Sequence, residues 1–241
     1  MLTMKNVLIC RNCGTENPFF SLNCKKCNSY LRVRISNIDL WQTAWQIFES
    51  PVKAGEKIIQ SDHKNFVVTL LIFVCLKYAL LSSMIYNSIY GQVGSIGVFP
   101  QAFLSGGLPV IISLLIISII LTALNNLLGI KNRVVDNLSL YTYSFTPQIL
   151  GLIFLTPIQF ALFGKYFFSF NPSPFLIKPM ATYVLLVIEI LLFVWSIFIV
   201  CAFTFAQTKN KLYSVTVGTV ISIILLAVIY YMPEKLLVLV R

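Results

Sequence analysis

Apolar and polar positions are sharply segregated along this chain. Up to residue 65 they mix over short distances; beyond it, long apolar runs are broken only by brief polar links. Five runs, 66–86, 108–130, 139–163, 180–206 and 212–232, are each long enough to cross a bilayer. About 20 residues rising ~1.5 Å apiece cover the ~30 Å hydrocarbon layer. The third run contains Pro147, Gly151 and Pro157 and is predicted to kink, its freed carbonyls met by neighbouring helices. The link 87–107 is glycine-containing and uncharged and reads as a flexible or interfacial loop. Asn171-Pro172-Ser173-Pro174 excludes regular helix and reads as a rigid turn.

Ahead of the spans, Ser36 to Glu49 has a helical period. Trp41, Ala44, Trp45 and Phe48 fall at i, i+3, i+4 and i+7 and share one face. Asp39 is the predicted N-cap, with Gln42 three residues on as in a capping box. Two tryptophans on one stripe suit the headgroup boundary as interfacial anchors; packing onto the ends of the membrane helices would bury the same face. Ser50-Pro51 opens a second helix, with Pro at the first helical position, which runs through Ile58-Ile59 toward Phe66. The predicted fold is an all-α polytopic membrane protein. Residues 1–35 form a small four-cysteine ribbon, 36–65 amphipathic juxtamembrane helices, and 66–241 a bundle of five transmembrane helices.

Composition narrows the class. The chain is 58% hydrophobic and 11% charged, with a mean hydropathy of +0.85, whereas soluble domains carry about 25% charged residues. So few charges cannot cover a water-facing surface, which excludes disorder, a coiled coil and a soluble enzyme as readings of the whole chain. The opening residues hold only the short apolar run Val7-Leu8-Ile9, below the ~7–15 residues of a signal-peptide core. The first span is therefore expected to direct insertion.

Charge sets the expected orientation. Nine of the 18 Lys and Arg lie before position 66, and alternate sides of the five spans then total thirteen against four. The positive-inside rule puts the N-terminus in the cytoplasm and the C-terminus outside, in the plasma (inner) membrane. Each basic residue near an anionic leaflet gains about 1 kcal/mol. Nucleic acid is the rival partner of a basic head, but Glu16, Asp39, Glu49, Glu56 and Asp62 interrupt any single-sign stripe and argue against it.

The strongest chemical signal is Cys10-Arg11-Asn12-Cys13 followed by Cys24-Lys25-Lys26-Cys27. Two such pairs can place four thiolates tetrahedrally around Zn2+. Iron and two disulfides are the alternatives, the latter opposed by a reducing cytoplasm. Gly14 and Asn28 follow the second cysteine of each pair, where positive φ is best tolerated by Gly or Asn. Val7-Leu8-Ile9 and Tyr30, Leu31, Val33 are expected to supply short strands. A ribbon this small has almost no core, so metal binding, worth about 10–16 kcal/mol in such peptides, must hold it. All four ligands are used, which makes the site structural.

Charged side chains deep in a bilayer are costly and functional by default. There are two, Lys77 and Glu189, each about 15 Å from its own end of a span. Their depths coincide, which predicts an ion pair between packed helices, either fixing helix register or forming part of an ion path. Asn125-Asn126 is expected to hydrogen bond between helices. His63 is the only histidine, and no nucleophile, base and orienting group stand together in the pattern, so an enzyme is not expected.

The cysteine stretch, Cys-x-x-Cys-Gly-x-x-Asn-Pro through the second pair, resembles the zinc ribbons at the N-termini of many prokaryotic membrane proteins. The five spans, Ser50-Pro51, and Tyr141-Thr142-Tyr143-Ser144-Phe145-Thr146-Pro147 resemble the Yip domain, the Ypt/Rab-interacting-protein family of five-helix membrane proteins, over about residues 40–235. Its third-helix signature is Gly-Tyr-x-x-x-Pro; Tyr143 and Pro147 match it, and Thr142 replaces the glycine. The resemblance implies a prokaryotic-type, non-enzymatic membrane scaffold or organiser, in trafficking-like processes, with the zinc ribbon docking a cytoplasmic protein. Eukaryotic relatives carry Asp-Leu-x-Gly-Pro before the first helix where this chain has Phe48-Glu49-Ser50-Pro51, a departure that argues against a GTPase partner. The alternative function is a small transporter or channel using Lys77 and Glu189. The oligomeric state is left open.

Overall fold

The computed structural model describes residues 6–90 and 103–239. Two strands, β1 (Val7–Ile9) and β2 (Glu16–Pro18), pair antiparallel, with Leu8 opposite Asn17. Helices α1 (Leu40–Glu49) and α2 (Pro51–Gln60) follow. The apolar remainder forms α3 (Val67–Tyr90), a π-turn (Phe103–Gly107) opening α4 (Leu108–Leu127), and α5 (Val134–Ser144). Next come α6 (Thr146–Leu150), a second π-turn (Gly151–Leu155) and α7 (Thr156–Phe163), then the short α8 (Tyr166–Ser169) and α9 (Pro174–Ile177). Helices α10 (Pro179–Thr208) and α11 (Lys211–Leu239) complete the order.

Five stretches are long and apolar enough to cross a membrane: Val67–Ile89, Phe103–Leu127, Thr146–Phe163, Pro179–Thr208 and Lys211–Pro233. Their outward positions are apolar, as a lipid solvent requires: Ile72, Ile116, Ile120, Val187, Leu191 and Ile223 are all exposed. Most of the 87–107 link, 91–102, lies outside the described residues.

The third crossing differs from the 139–163 expected. Residues up to Ser144 belong to α5, whose Asp136, Asn137, Ser139, Thr142 and Ser144 are all buried. Phe145 breaks the helix, and Pro147 and Pro157 each remove an N–H donor. The backbone absorbs the loss in the π-turn between them, the predicted irregularity of this span.

The described residues pack into two compact units. One holds the residues up to Val68 with Leu115–Ser144 and Ile197–Val220. It thus takes the start of α3, the end of α4, all of α5, the end of α10 and the start of α11 together with the ribbon, α1 and α2. Ile47, Ile58, Leu140, Tyr141 and Phe203 are fully buried in it. The other holds the described residues of Thr69–Leu114, Phe145–Ser196 and Ile221–Arg241. Its core gathers Leu155, Phe163, Phe167 and Leu185, with Met84 and Leu192 against them. Gly107 lets the start of α4 lie on α3: a Cβ there would stand 2.6 Å from Cys75 Sγ and 2.7 Å from the Cys75 carbonyl oxygen.

Candidate functional site

The ribbon places Cys10, Cys13, Cys24 and Cys27 at one point, all four sulfurs lying within 4.8 Å of one another. Each Cys-x-x-Cys forms the tip of its own hairpin. Gly14 N donates to Cys10 O at 2.9 Å and Asn28 N to Cys24 O at 3.0 Å, at positive φ of 69° and 58°. The strand partner of Val7–Ile9 is therefore Glu16–Pro18 on the far side of the first turn. Tyr30, Leu31 and Val33, expected as a strand, contribute only a single bridge, from Tyr30 to Asn23 across the second turn. Local return is the reason: each knuckle closes on itself before the two halves meet.

The residues fit a tetrahedral thiolate-bound metal. A ~2.3 Å Zn–S bond with tetrahedral angles separates sulfurs by about 3.8 Å; Cys10 and Cys27 are 3.5 Å apart, as are Cys13 and Cys24. Such an ion would cross-link both knuckles, and with four protein ligands it offers no open position. The Ser29 hydroxyl, 3.1 Å from the Cys10 and Cys27 sulfurs, draws both thiols below their ordinary value. The Cys27 backbone N–H does the same for Cys24. Buried Asn17, unassigned by spacing alone, ties the halves together. Its amide donates to Thr15 O at 2.9 Å and to Cys24 Sγ at 3.6 Å, and its Oδ1 accepts from Lys25 N at 2.9 Å.

The ribbon is seated on helix ends within its own unit. Asn6 Nδ2 donates to the carbonyls of Ala206 at 3.1 Å and Gln207 at 2.7 Å, the last turn of α10. Arg32 Nη2 bridges Phe20 O at 2.9 Å and Gln60 O at 2.6 Å, and the Arg133 guanidinium lies 4.6 Å over the Phe20 ring. Arg34 donates to Asp62 at 2.7 Å and holds that carboxyl below the usual carboxylate range.

Beneath lies a polar network that sequence reasoning missed. Asp136 is fully buried, pairs with Lys64 at 3.1 Å, and accepts from Arg133 Nε at 2.8 Å and Nη2 at 2.9 Å. Lys64 also caps α2, donating to the carbonyls of Ile58, Ile59 and Ser61, where the helix dipole favours a cation. Burial pushes its amine down, and Asp136 opposes that shift. Alongside, Asn137 donates to Thr122 at 2.6 Å, Gln207 to Asn137 at 2.8 Å, Asn125 to Gln207 at 3.1 Å and Tyr213 to Asn125 at 2.7 Å. This relay joins α4, α5, α10 and α11; of the expected Asn125-Asn126 pair only Asn125 takes part, Asn126 being exposed. Gln207 lies 70 residues from Asn137, so only tertiary structure reveals the relay. Asp136→Asn leaves two cations facing a neutral amide. The expected loss is about 2 kcal/mol, in the range for hydrogen bonds to charged groups. It stays below that for stranding a buried charge outright, because the asparagine Oδ1 still accepts from one cation and Arg133 is exposed enough to turn to water. Thermal unfolding in detergent reads it, and an unchanged midpoint would count against the network.

In the other unit, Lys77 Nζ donates to Glu189 Oε1 at 2.7 Å and Oε2 at 2.9 Å. Gln159, not singled out in the sequence, adds its Nε2 to Glu189 Oε1 at 3.3 Å. Of the motif residues, Tyr143 is buried and donates to Asn65 O at 2.6 Å, while Pro147 opens the kinked stretch inside α6.

The amphipathic helix α1 is capped as expected by Asp39, whose Oδ1 accepts from Gln42 N at 2.7 Å. Gln42 does not reciprocate; its Oε1 accepts from Lys57 at 2.8 Å. Ser50 stands at the start of α2 without a side-chain cap bond. Thr43 and Ile47 form the buried face of α1. Trp41 and Trp45, at 82% and 70% exposure, point away from the protein, so these two rings do not pack onto the helix ends.

A family model described as the Yip1 domain matches residues 45–232, more than half of the chain. No curated protein and no solved structure matches it.

Proposed function

Because the chain belongs to the Yip1 domain family, we propose that it is a non-enzymatic membrane scaffold whose zinc ribbon docks a cytoplasmic protein. The observation that carries this reading is the ribbon itself. Its four thiols are arranged to be consumed by one ion, and its seat is built from directed contacts of Asn6 with α10, Arg32 with α2 and Phe20 with Arg133 just before α5. A closed metal site performs no catalysis; it stiffens a surface. Zinc is the ion of choice for a four-thiolate tetrahedron in a reducing compartment. The basic head faces the cytoplasm and the C-terminus lies outside the inner membrane, as the lysine and arginine bias favours.

In this reading Trp41 and Trp45 anchor α1 in the headgroup layer, where their rings meet both lipid and water. In a Trp195→Phe background, brominated lipids should quench the fluorescence of both tryptophans. Quenching no greater than by soluble iodide would place the stripe in water or against a protein.

Affinity capture from native membranes tests the docking function. The intact chain should retain a cytoplasmic partner that Cys24→Ser loses while still inserting in the membrane. Transport is the competing reading, motivated by the paired charges Lys77 and Glu189. Proteoliposome flux abolished by Glu189→Gln would defeat the scaffold.

A further inference from the structure

The first half of α10 is barely packed. Between Pro179 and Leu191 only Thr182 and Leu185 are buried, while Tyr183, Val184, Val187, Ile188 and Leu191 face outward. This half meets the rest of its unit along one narrow stripe, Thr182, Leu185 and Glu189, at i, i+3 and i+7. The stripe is fastened at its two ends. Thr182 Oγ1 donates to Pro174 O at 2.9 Å, and Glu189 accepts from Lys77 at 2.7 Å. Between these fastenings, about 10 Å apart along the axis, lies a cavity of about 120 Å³.

The cavity is a slot parallel to the helices. Its α3 wall is Lys77, Leu80, Leu81 and Met84, again a single helical stripe two turns long. Lys77 and Glu189 mark the deep end, since Glu189 stands about 15 Å along α10 in a layer ~30 Å thick. Phe170 and Phe175 mark the other end, toward the start of α10. Leu186 belongs both to the wall and, 43% exposed, to the outer face of α10, so the slot borders lipid along its side.

We propose that this slot holds one acyl chain of a bilayer phospholipid, from the leaflet on the side where α10 starts. Four features select that occupant. The wall is hydrocarbon: Lys77 and Glu189 are spent on each other, and the Thr182 hydroxyl on the Pro174 and Lys178 carbonyls. A cavity of about 150 Å³ with apolar walls stays free of water and accepts an apolar guest of benzene size. The open side faces lipid, so acyl chains are what reaches it, and an empty slot would forfeit dispersion contacts on every wall. Its long axis runs from near the interface to the midplane, as an acyl chain does. A helix of a second copy, which needs about 8–10 Å between axes, is too wide for it. Recognition is by shape and apolarity alone, and the proposal stands apart from the scaffold reading.

The test uses the full chain in phosphatidylcholine vesicles containing a phosphatidylcholine with a photoreactive diazirine at mid-chain. Outward side chains such as Val187 and Leu191 are labelled by any surrounding lipid. The informative residues are the buried walls Phe163, Phe167 and Leu185, which irradiation should label as strongly as Val187 and Leu191. Leu185→Trp, which fills the slot and leaves the ion pair in place, should lower labelling of Phe163 and Phe167 about tenfold, a change of ~1.4 kcal/mol. Labelling of Leu191 should not change. Labelling confined to the outward residues of the unsubstituted chain would overturn the proposal without recourse to any variant. Wall labelling that appears only after the chain is diluted in lipid would assign the slot to a side chain of a second copy and overturn it equally.

Discussion

Stripping the metal from the purified protein is expected to unfold residues 6–35 and leave the apolar helices intact. The magnitudes decide this. β1 and β2 are three residues each, and the second knuckle adds one bridge. The contacts that seat the ribbon are a few hydrogen bonds, each worth about 1 kcal/mol net, plus the Arg133–Phe20 contact, worth about 0.5–2 kcal/mol. A bound ion contributes roughly 10–16 kcal/mol, so nothing else in the head can replace it. Elemental analysis should find one zinc per chain, and Cys24→Ser should abolish it. Hydrogen exchange should then show the Cys10, Gly14, Cys24 and Asn28 amides, all bonded in the structure, losing protection, while α10 keeps its own. Retained ribbon protection after chelation would mean the cysteines are incidental to its fold.

The second large effect is expected in the membrane. Lys77→Met should destabilise the protein by about 3 kcal/mol, at the lower end of the range for stranding one partner of a buried ion pair. The lower end applies because the Glu189 side chain is 20% exposed, against 5% for Lys77. The exchange Lys77→Glu with Glu189→Lys should recover most of that loss. Replacing both by Met and Leu should be close to neutral, since lipid-compatible side chains remove the desolvation cost together with the attraction. Unfolding in detergent gives all three values. An exchange as damaging as the single change would show that the pair acts through its surroundings, Gln159 foremost, rather than through mutual charge.

The parts of the fold legible in the sequence are those written in local pattern. Five apolar runs mark five crossings because hydrocarbon selects composition over a contiguous stretch. The spacing of Cys10, Cys13, Cys24 and Cys27 announces that four sulfurs meet at one point because knuckle geometry demands it, and Asp39 announces the start of α1 for the same local reason. Lys77 and Glu189 could be matched across 112 residues only because each is a lone charge in an apolar run. Asp136, Asn137 and Gln207 had no such contrast: they sit among other polar residues near span ends, and only packing distinguishes a buried asparagine from a solvated one. The third apolar stretch begins at Thr146 in the structure, later than the pattern of apolar residues implies, for a related reason. Residues 139–144 contain Leu and Tyr at membrane-like density, yet the polar residues between them serve the buried network. Gln159 Oε1 is legible only from its surroundings, since an unmet acceptor is defined by what fails to approach it.

Five crossings put the two termini on opposite faces of the membrane, and the proposed orientation puts the ribbon on the cytoplasmic one. Epitope tags before Met1 and after Arg241 test this directly when cells are treated with protease before and after permeabilisation. The C-terminal tag should be digested from intact cells and the N-terminal tag only once the membrane is opened. Digestion of both tags in the same condition would place the two termini on one face and contradict the five-span architecture.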